Sequence, residues 1–323
     1  MNERRYDPAS GTWVTVSAQR QDRTYHPSPD ECPLCPTRPG APPTEIPRAA
    51  FEVAVFDNRF PALAPDAPSP APVPEPYATA AAAGRCEVVV YTDAHAGSLA
   101  TLPPGRLRLL VDVWADRHRV LGGQPDVAYV MAFENRGDAV GATLHHPHGQ
   151  VYAYPEVPPR VAANLAAARR YRERTGRCVH CDIVAAEWDD GRRTVIATDQ
   201  VLAFVPFAPR LPFEVRVAPR AHAATLGALE PVARDELADV LGRLVRAYDR
   251  LFGFALPYVM ALHQRPTDGG DWDALAHAHF EFTPLHRSAD KLKYLAGSEL
   301  AAGAFLTDRV PEEAAAALRE AAG

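Results

Sequence analysis

No stretch of the 323-residue sequence stays apolar for the length that a membrane-crossing helix needs. The amino terminus, Met1-Asn2-Glu3-Arg4-Arg5-Tyr6-Asp7, also has no apolar run behind its charges. Together these absences set a membrane aside and lead us to expect a cytoplasmic chain without a secretory leader. A basic excess is missing too, since the formal net charge is -6. A molecule of that sign repels a polyanion, so nucleic acid is not an expected partner. Cysteine is scarce: five residues, four of them in the short pairs Cys32-x-x-Cys35 and Cys178-x-x-Cys181. Such clustering suits metal binding in a reducing compartment better than a disulfide framework. The fifth, Cys86, beside a β-branched run, reads as a buried strand residue.

What is present is the composition of a folded chain, 47% hydrophobic and 23% charged. The length suggests two domain-sized units or one duplicated one. Residues 61–76 are dense in proline and alanine and read as an extended surface connection. Beyond them, Glu87–Tyr91 is rich in β-branched residues and predicts a strand, while Pro103–Leu121 carries apolar residues at helical spacing. Val127–Phe133 predicts a second strand, Asn135–Gly141 a glycine-containing loop, and Gln150–Tyr154 a further strand.

The second half repeats this order. EVVVYTDAHAGSL at 87–99 is matched by EVRVAPRAHAATL at 214–226, with His95 and His222 at the same place, and a long amphipathic segment follows each. Each half opens with Cys-x-x-Cys and closes with His-x-His, namely His146/His148 and His277/His279. Four shared features in one order indicate an internal duplication, divided here as 1–165 and 166–323. The fold class expected is α+β.

The chemistry concentrates in His146-Pro147-His148-Gly149-Gln150. Alternate residues of an extended segment face one way, so His146, His148 and Gln150 are expected to project together. An imidazole with one nitrogen held protonated by a backbone carbonyl has the other lone pair free to attack phosphorus. Gln150 is no acid, but its amide can donate to a phosphoryl oxygen as charge moves, which favours transfer over hydrolysis. A lone His-x-His is as often a satisfied pair of no chemical consequence, and the full pentapeptide is what raises it above that. For a small anionic substrate, Arg20, Arg23, Arg136, Lys291 and Lys293 offer local positive charge.

With Cys32-x-x-Cys35 near the start and Asn135-x-Gly137 upstream, the pentapeptide resembles the galactose-1-phosphate uridylyltransferases, the transferase branch of the histidine-triad superfamily. The resemblance runs from Arg4-Arg5-Tyr6-Asp7-Pro8 to the segment Lys293–Glu299. It implies duplicated histidine-triad-like halves with antiparallel sheets and flanking helices. It also implies a ping-pong reaction in which His148 attacks the α-phosphorus of UDP-glucose, releases glucose 1-phosphate, and passes UMP to galactose 1-phosphate. Carried over by position, Arg20 and Arg23 contact nucleotide phosphates or the adjoining loop, and Asn58, Phe60 and Asn135 line the uridine and phosphate pocket. Thr143 stands where the family often has serine. Lys293 and Glu299 match residues that reach the sugar phosphate from the neighbouring subunit of a dimer, so a homodimer is implied. Arg59 and Phe305 depart from the family pattern.

The same resemblance gives Cys32 and Cys35 two further ligands for a structural zinc, His95 and His146. Through the duplication, Cys178, Cys181, His222 and His277 form an equivalent second site. Some relatives instead hold their second metal with a carboxylate and three histidines matching His263, His277 and His279; Asn164 stands at the carboxylate position here. His277-Ala278-His279-Phe280-Glu281 has no glutamine at the third alternating position, so transfer chemistry is expected in the first half alone. Two other readings stay open. One is a related hydrolase or phosphorylase acting on another nucleotide, the other a zinc-stabilised nucleotide-binding protein without turnover.

Overall fold

The computed structural model describes residues 2–22, 24–40 and 42–323. A nine-stranded antiparallel sheet runs through both halves of the sequence. Across it the strands are ordered Ala54–Asp57, Arg85–Val90, His148–Tyr154, Tyr129–Arg136, Tyr258–His263, His279–Pro284, Val215–Pro219, Val201–Phe204 and Thr194–Ala197. The two halves meet where Tyr129–Arg136 pairs with Tyr258–His263, Asn135 opposite Val259 and Phe133 opposite Ala261. Outward from that seam each half repeats one order: first the strand beginning at the second histidine of His-x-His, then the strand leading into the loop of His95 or His222. The α+β duplication is thus a continuous sheet with matching halves. The seam strands carry a repeat that the 87–99 and 214–226 match does not reach, Tyr129-Val130-Met131-Ala132 against Tyr258-Val259-Met260-Ala261.

Two long helices, Pro104–Gly122 and Pro231–Leu251, follow the matched segments and cover one face. Each starts on a proline, whose missing N–H has no partner to lose in a first turn. Leu107, Leu110, Val111 and Trp114 repeat at helical spacing on one, and Leu237, Leu241, Leu244 and Tyr248 on the other. They enclose the main core against Val89, Val151 and Phe280. Where the helices meet, a Cβ on Gly242 would lie 2.7 Å from Leu107 Cδ1, so a larger residue there must displace that side chain.

The opposite face is covered differently in each half. In the second, the helices Pro159–Thr175 and Val179–Asp190 lie over it, and the expected 165/166 division falls inside the first of these. In the first half the cover is irregular chain: Cys32, Leu34, Cys35 and Ile46 pack on Val88 and Val90 with Phe56 and Leu144 beside them. Residues 61–76 contain no helix or strand, as their composition predicts. Element boundaries shift by one to three residues from the sequence reading, and two of these shifts fall at the site. Asn135 and Arg136 still belong to a strand, and the loop begins at Gly137, whose φ of +87° suits glycine. The last strand of this half starts at His148, two residues before the expected start. No helix of the described residues is long and apolar enough to cross a membrane.

Candidate active site and metal clusters

His148 and Gln150 sit on the strand His148–Tyr154, opposite Val90 and Val88 of its neighbour. Both side chains line a cleft with Asn58, Phe60 and Thr143, so five expected residues come together. The side chain of Gly149, between them, would point the other way. A Cβ there would lie 2.2 Å from the Tyr91 hydroxyl and 2.9 Å from the Phe133 carbonyl, which only glycine avoids.

The half-buried imidazole of His148 donates from Nδ1 to the carbonyl of its own neighbour, His146, at 2.7 Å. That bond fixes the tautomer and leaves the Nε2 lone pair for the cleft. Burial lowers the His148 pKa, against the opposing pull of the carbonyl, and so favours the neutral ring. Gln150 is held through its oxygen, which accepts from Asn58 Nδ2 at 3.2 Å, leaving the amide N–H groups to donate elsewhere. Asn58 is itself anchored, its side-chain oxygen accepting from the Phe60 N–H at 2.9 Å.

His146 does not project with them. It precedes the strand, where Nε2–H donates to the Thr92 carbonyl at 2.7 Å and Nδ1 faces the cysteines. Nδ1 is 3.5 Å from Cys35 Sγ and 3.9 Å from Cys32 Sγ, and His95 Nδ1 is 3.3 Å from Cys35 Sγ. All four ligand atoms lie within 4.8 Å of one another, the spread of a tetrahedral thiolate–imidazole zinc site. Burial and the adjacent Cys32 push the Cys35 thiol up to about 11, a state that a divalent cation relieves by stabilising the thiolate.

The second half repeats the arrangement around its second cysteine. His222 and His277 place Nδ1 3.2 and 3.5 Å from Cys181 Sγ, and their Nε2–H groups donate to the carbonyls of Asp273 and Pro219. Cys178 completes a second group within 4.8 Å. His263 and His279 are outside it, stacked with ring centroids 5.1 Å apart, and Asn164 is exposed on its helix. The cysteines therefore collect the ligands, and the carboxylate-and-histidine alternative finds no grouping among the described residues.

His279 matches His148 down to the hydrogen bond, Nδ1 donating to the His277 carbonyl at 2.8 Å. What differs is Glu281 in the place of Gln150. Burial disfavours its charge, yet His263, Arg160 and Arg216 hold the carboxyl well below the usual range. A carboxylate engaged in these ion pairs has no N–H to offer a phosphoryl oxygen, where the Gln150 amide would donate to one.

The remaining expected residues are not among those lining the cleft. Arg20 donates to the Tyr152 hydroxyl at 2.8 Å, and Arg23 is outside the described residues. Asn135 is half-buried two residues beyond Phe133, the register partner of Gln150, and on the same face of the sheet, so the register continues to place it beside His148. Lys293 and Glu299 form an ion pair at 2.6 Å away from the cleft lining. That pair holds the Glu299 carboxyl down to about 2, and the same carboxylate accepts from the Ala296 N–H at the start of a short helix. Sequence reasoning missed Thr24, Leu34, Glu45 and Phe56 in the cleft wall. Most of these come from irregular chain that has no period to read.

Comparison with known proteins agrees with this geometry. Residues 1–158 match the family described as galactose-1-phosphate uridyl transferase, N-terminal domain, and residues 164–322 match its C-terminal domain. A galactose-1-phosphate uridylyltransferase of Thermotoga maritima is 40% identical over 321 residues, covering 99% of this chain and 98% of its own. One from Streptomyces lividans is 36% identical over 331 residues, covering 99% and 87%. A solved uridylyltransferase structure superposes with a TM-score of 0.88 at 34% identity, covering 99% of this chain and 98% of its own.

Proposed function

The chain belongs to the galactose-1-phosphate uridyl transferase family, and from that premise we propose that it transfers UMP from UDP-glucose to galactose 1-phosphate through a uridylyl group on His148. The observation that carries this reading is the Nδ1 bond of His148 to the His146 carbonyl at the wall of the cleft. Nε2 attacks the α-phosphorus and forms a P–N bond. The P–O bond to glucose 1-phosphate breaks, and its electron pair leaves on the departing phosphate oxygen. A phosphate oxygen of galactose 1-phosphate then attacks the same phosphorus, the P–N bond breaks, and His148 recovers its lone pair.

Gln150 donates its amide to a non-bridging α-phosphoryl oxygen as charge shifts, held for that task by Asn58. The Thr143 hydroxyl makes a second phosphate contact, and Phe60 offers an apolar surface to the uracil. Arg20 stands on the same face of the strand as His148 and Gln150, donating to the Tyr152 hydroxyl, and serves the nucleotide phosphates or the adjoining loop. We assign Cys32, Cys35, His95 and His146 to a structural zinc, and Cys178, Cys181, His222 and His277 to a second. An ion at the first site anchors the segment that presents His148. The unpaired thiols of both sites suit a reducing, cytoplasmic setting. The sequence divides into duplicated halves at 1–165 and 166–323, the first with the reactive centre.

Lys293 and Glu299 serve the cleft of a second copy in a homodimer. Supporting this, the segment around them exposes Tyr294, Leu300 and Leu306, apolar residues that a partner would cover. Initial rates with both substrates varied test the whole scheme. Parallel double-reciprocal lines are expected, and intersecting lines contradict a uridylyl-enzyme. A hydrolase reading would require UMP release with no acceptor present, which the glutamine at 150 disfavours.

A further inference from the structure

Outside the cleft and the two cysteine clusters, a third group of metal-ligating side chains stands at the protein surface. His26, Asp138 and His145 bring their ligand atoms within 4.8 Å of one another. Asp138 Oδ1 is 3.2 Å from His145 Nε2 and 3.8 Å from His26 Nε2. Ligands bound at about 2.0–2.2 Å around one tetrahedral ion stand roughly 3.4 Å apart, so these separations bracket the required value. The imidazole rings lie edge to face, centroids 4.9 Å apart.

Two observations independent of that spacing point the same way. His26 Nε2 is buried and makes no hydrogen bond, although it faces the other two ligands. His26 also adopts a left-handed backbone, φ +47°, which a histidine takes up only at a cost. From these we propose that His26, Asp138 and His145 form a third metal site, for a divalent transition metal. Two imidazoles and one carboxylate suit zinc, cobalt or nickel rather than magnesium or calcium, which prefer all-oxygen surroundings.

The site joins two separate pieces of the cleft wall. His26 belongs to the segment that brings Thr24 to the cleft, and its N–H donates to the Thr143 carbonyl at 2.9 Å. Asp138 lies in the short turn Asp138–Val140, and His145 follows Leu144. An ion bound there clasps these segments to each other at the border of the cleft, without touching the reacting atoms.

Cobalt(II) titration of the full-length, zinc-loaded protein tests this. A cysteine-free site gives weak visible d–d bands and no thiolate-to-cobalt charge-transfer band, which separates it from exchange into either cysteine cluster. The wild type is expected to take up one such equivalent. Asp138→Asn should weaken it by at least about tenfold, no less than the loss of an outer-shell partner costs. Unchanged cobalt binding in that variant overturns the proposal, and so does a wild type that binds no cysteine-free equivalent. Asp138 is exposed, so the variant should fold; if its melting temperature falls, His145→Gln provides the same comparison. None of these readouts depends on turnover, so failure here leaves the transferase reading standing, and the reverse holds too.

Discussion

His148 has its proton placed by a bond to the residue two before it, and the glycine after it has no room for a side chain. Both follow from the pentapeptide beginning a strand whose faces are committed, one to the cleft and the other to the Tyr91 ring in the core. Gly149→Ala should therefore cost about 1–3 kcal/mol of stability through overpacking. It should also lower turnover by displacing His148 and Gln150, which thermal melts and steady-state rates on one preparation would show. His148→Gly should abolish transfer from UDP-glucose, while imidazole in the vacated space allows pre-formed uridylyl-imidazole to donate UMP to the hexose phosphate. His146→Gly should lose activity without such rescue, since its ring faces the cysteines.

Glu134 supplies a pH prediction at the same scale. Complete burial raises its carboxyl to about 7, with Arg136 and the Tyr258 hydroxyl opposing the shift. A carboxyl whose folded pKa lies above its unfolded value, about 4.3, adds stability below the unfolded value and loses it as pH rises through the folded one. Melting temperature should then decline from pH 4.5 to 7 more steeply in the wild type than in Glu134→Gln. Equal slopes would show that Glu134 is already ionised across that range.

Among the elements, the irregular chain over the first half is the part most dependent on metal. The described residues of 24–60 contribute the short 3-10 turn Pro29–Glu31 and the strand Ala54–Asp57, and otherwise pack through Cys32, Leu34, Cys35 and Ile46. Replacing Cys32 and Cys35 together by serine should remove one zinc equivalent and lower the melting temperature by roughly 5–10 °C, as for a loss of a few kcal/mol. In the second half, Cys178 and Cys181 sit at the start of a helix that packs through Val184 on Leu202, Phe204 and Ala218 of the sheet. The same exchange there should remove the other equivalent with less effect on transfer. Elemental analysis beside kcat separates the two, and full zinc retention in either variant would remove the corresponding site from the account.

The legibility of the sequence follows the same division between regular and irregular chain. The helix read at 103–121 and the strands read at 87–91 and 150–154 fall within two residues of the elements found, and the duplication aligns His95 with His222 before any contact is known. Asn135 is misread as loop because its Asn-x-Gly signal belongs to the turn that starts two residues later at Gly137. Thr24, Leu34 and Glu45 reach the cleft from chain with no period, and the His26, Asp138 and His145 group spans 119 residues of separation (145 − 26) with no spacing rule to reveal it.

For the whole molecule, one sheet shared by both halves makes their stabilities interdependent. The seam strands Tyr129–Arg136 and Tyr258–His263 bury Tyr129 and Tyr258 completely, so separating the halves exposes a long strand edge and the core beneath it. Residues 1–165 expressed alone should aggregate rather than fold, whereas the intact chain should unfold in one cooperative transition. The homodimer assigned here has a mass of about 70 kDa, twice 35.1 kDa, measurable by light scattering. Lys293→Ala should then raise the KM for galactose 1-phosphate without altering that mass.

Every role assigned around the cleft depends on a single covalent event at His148. Incubation with UDP-glucose labelled in the uridine, followed by peptide mapping of the acid-labile adduct, reads that event directly. One UMP per chain on the peptide containing His148, discharged by galactose 1-phosphate, is the expected result. Label on another residue, or turnover with no adduct, would contradict the account.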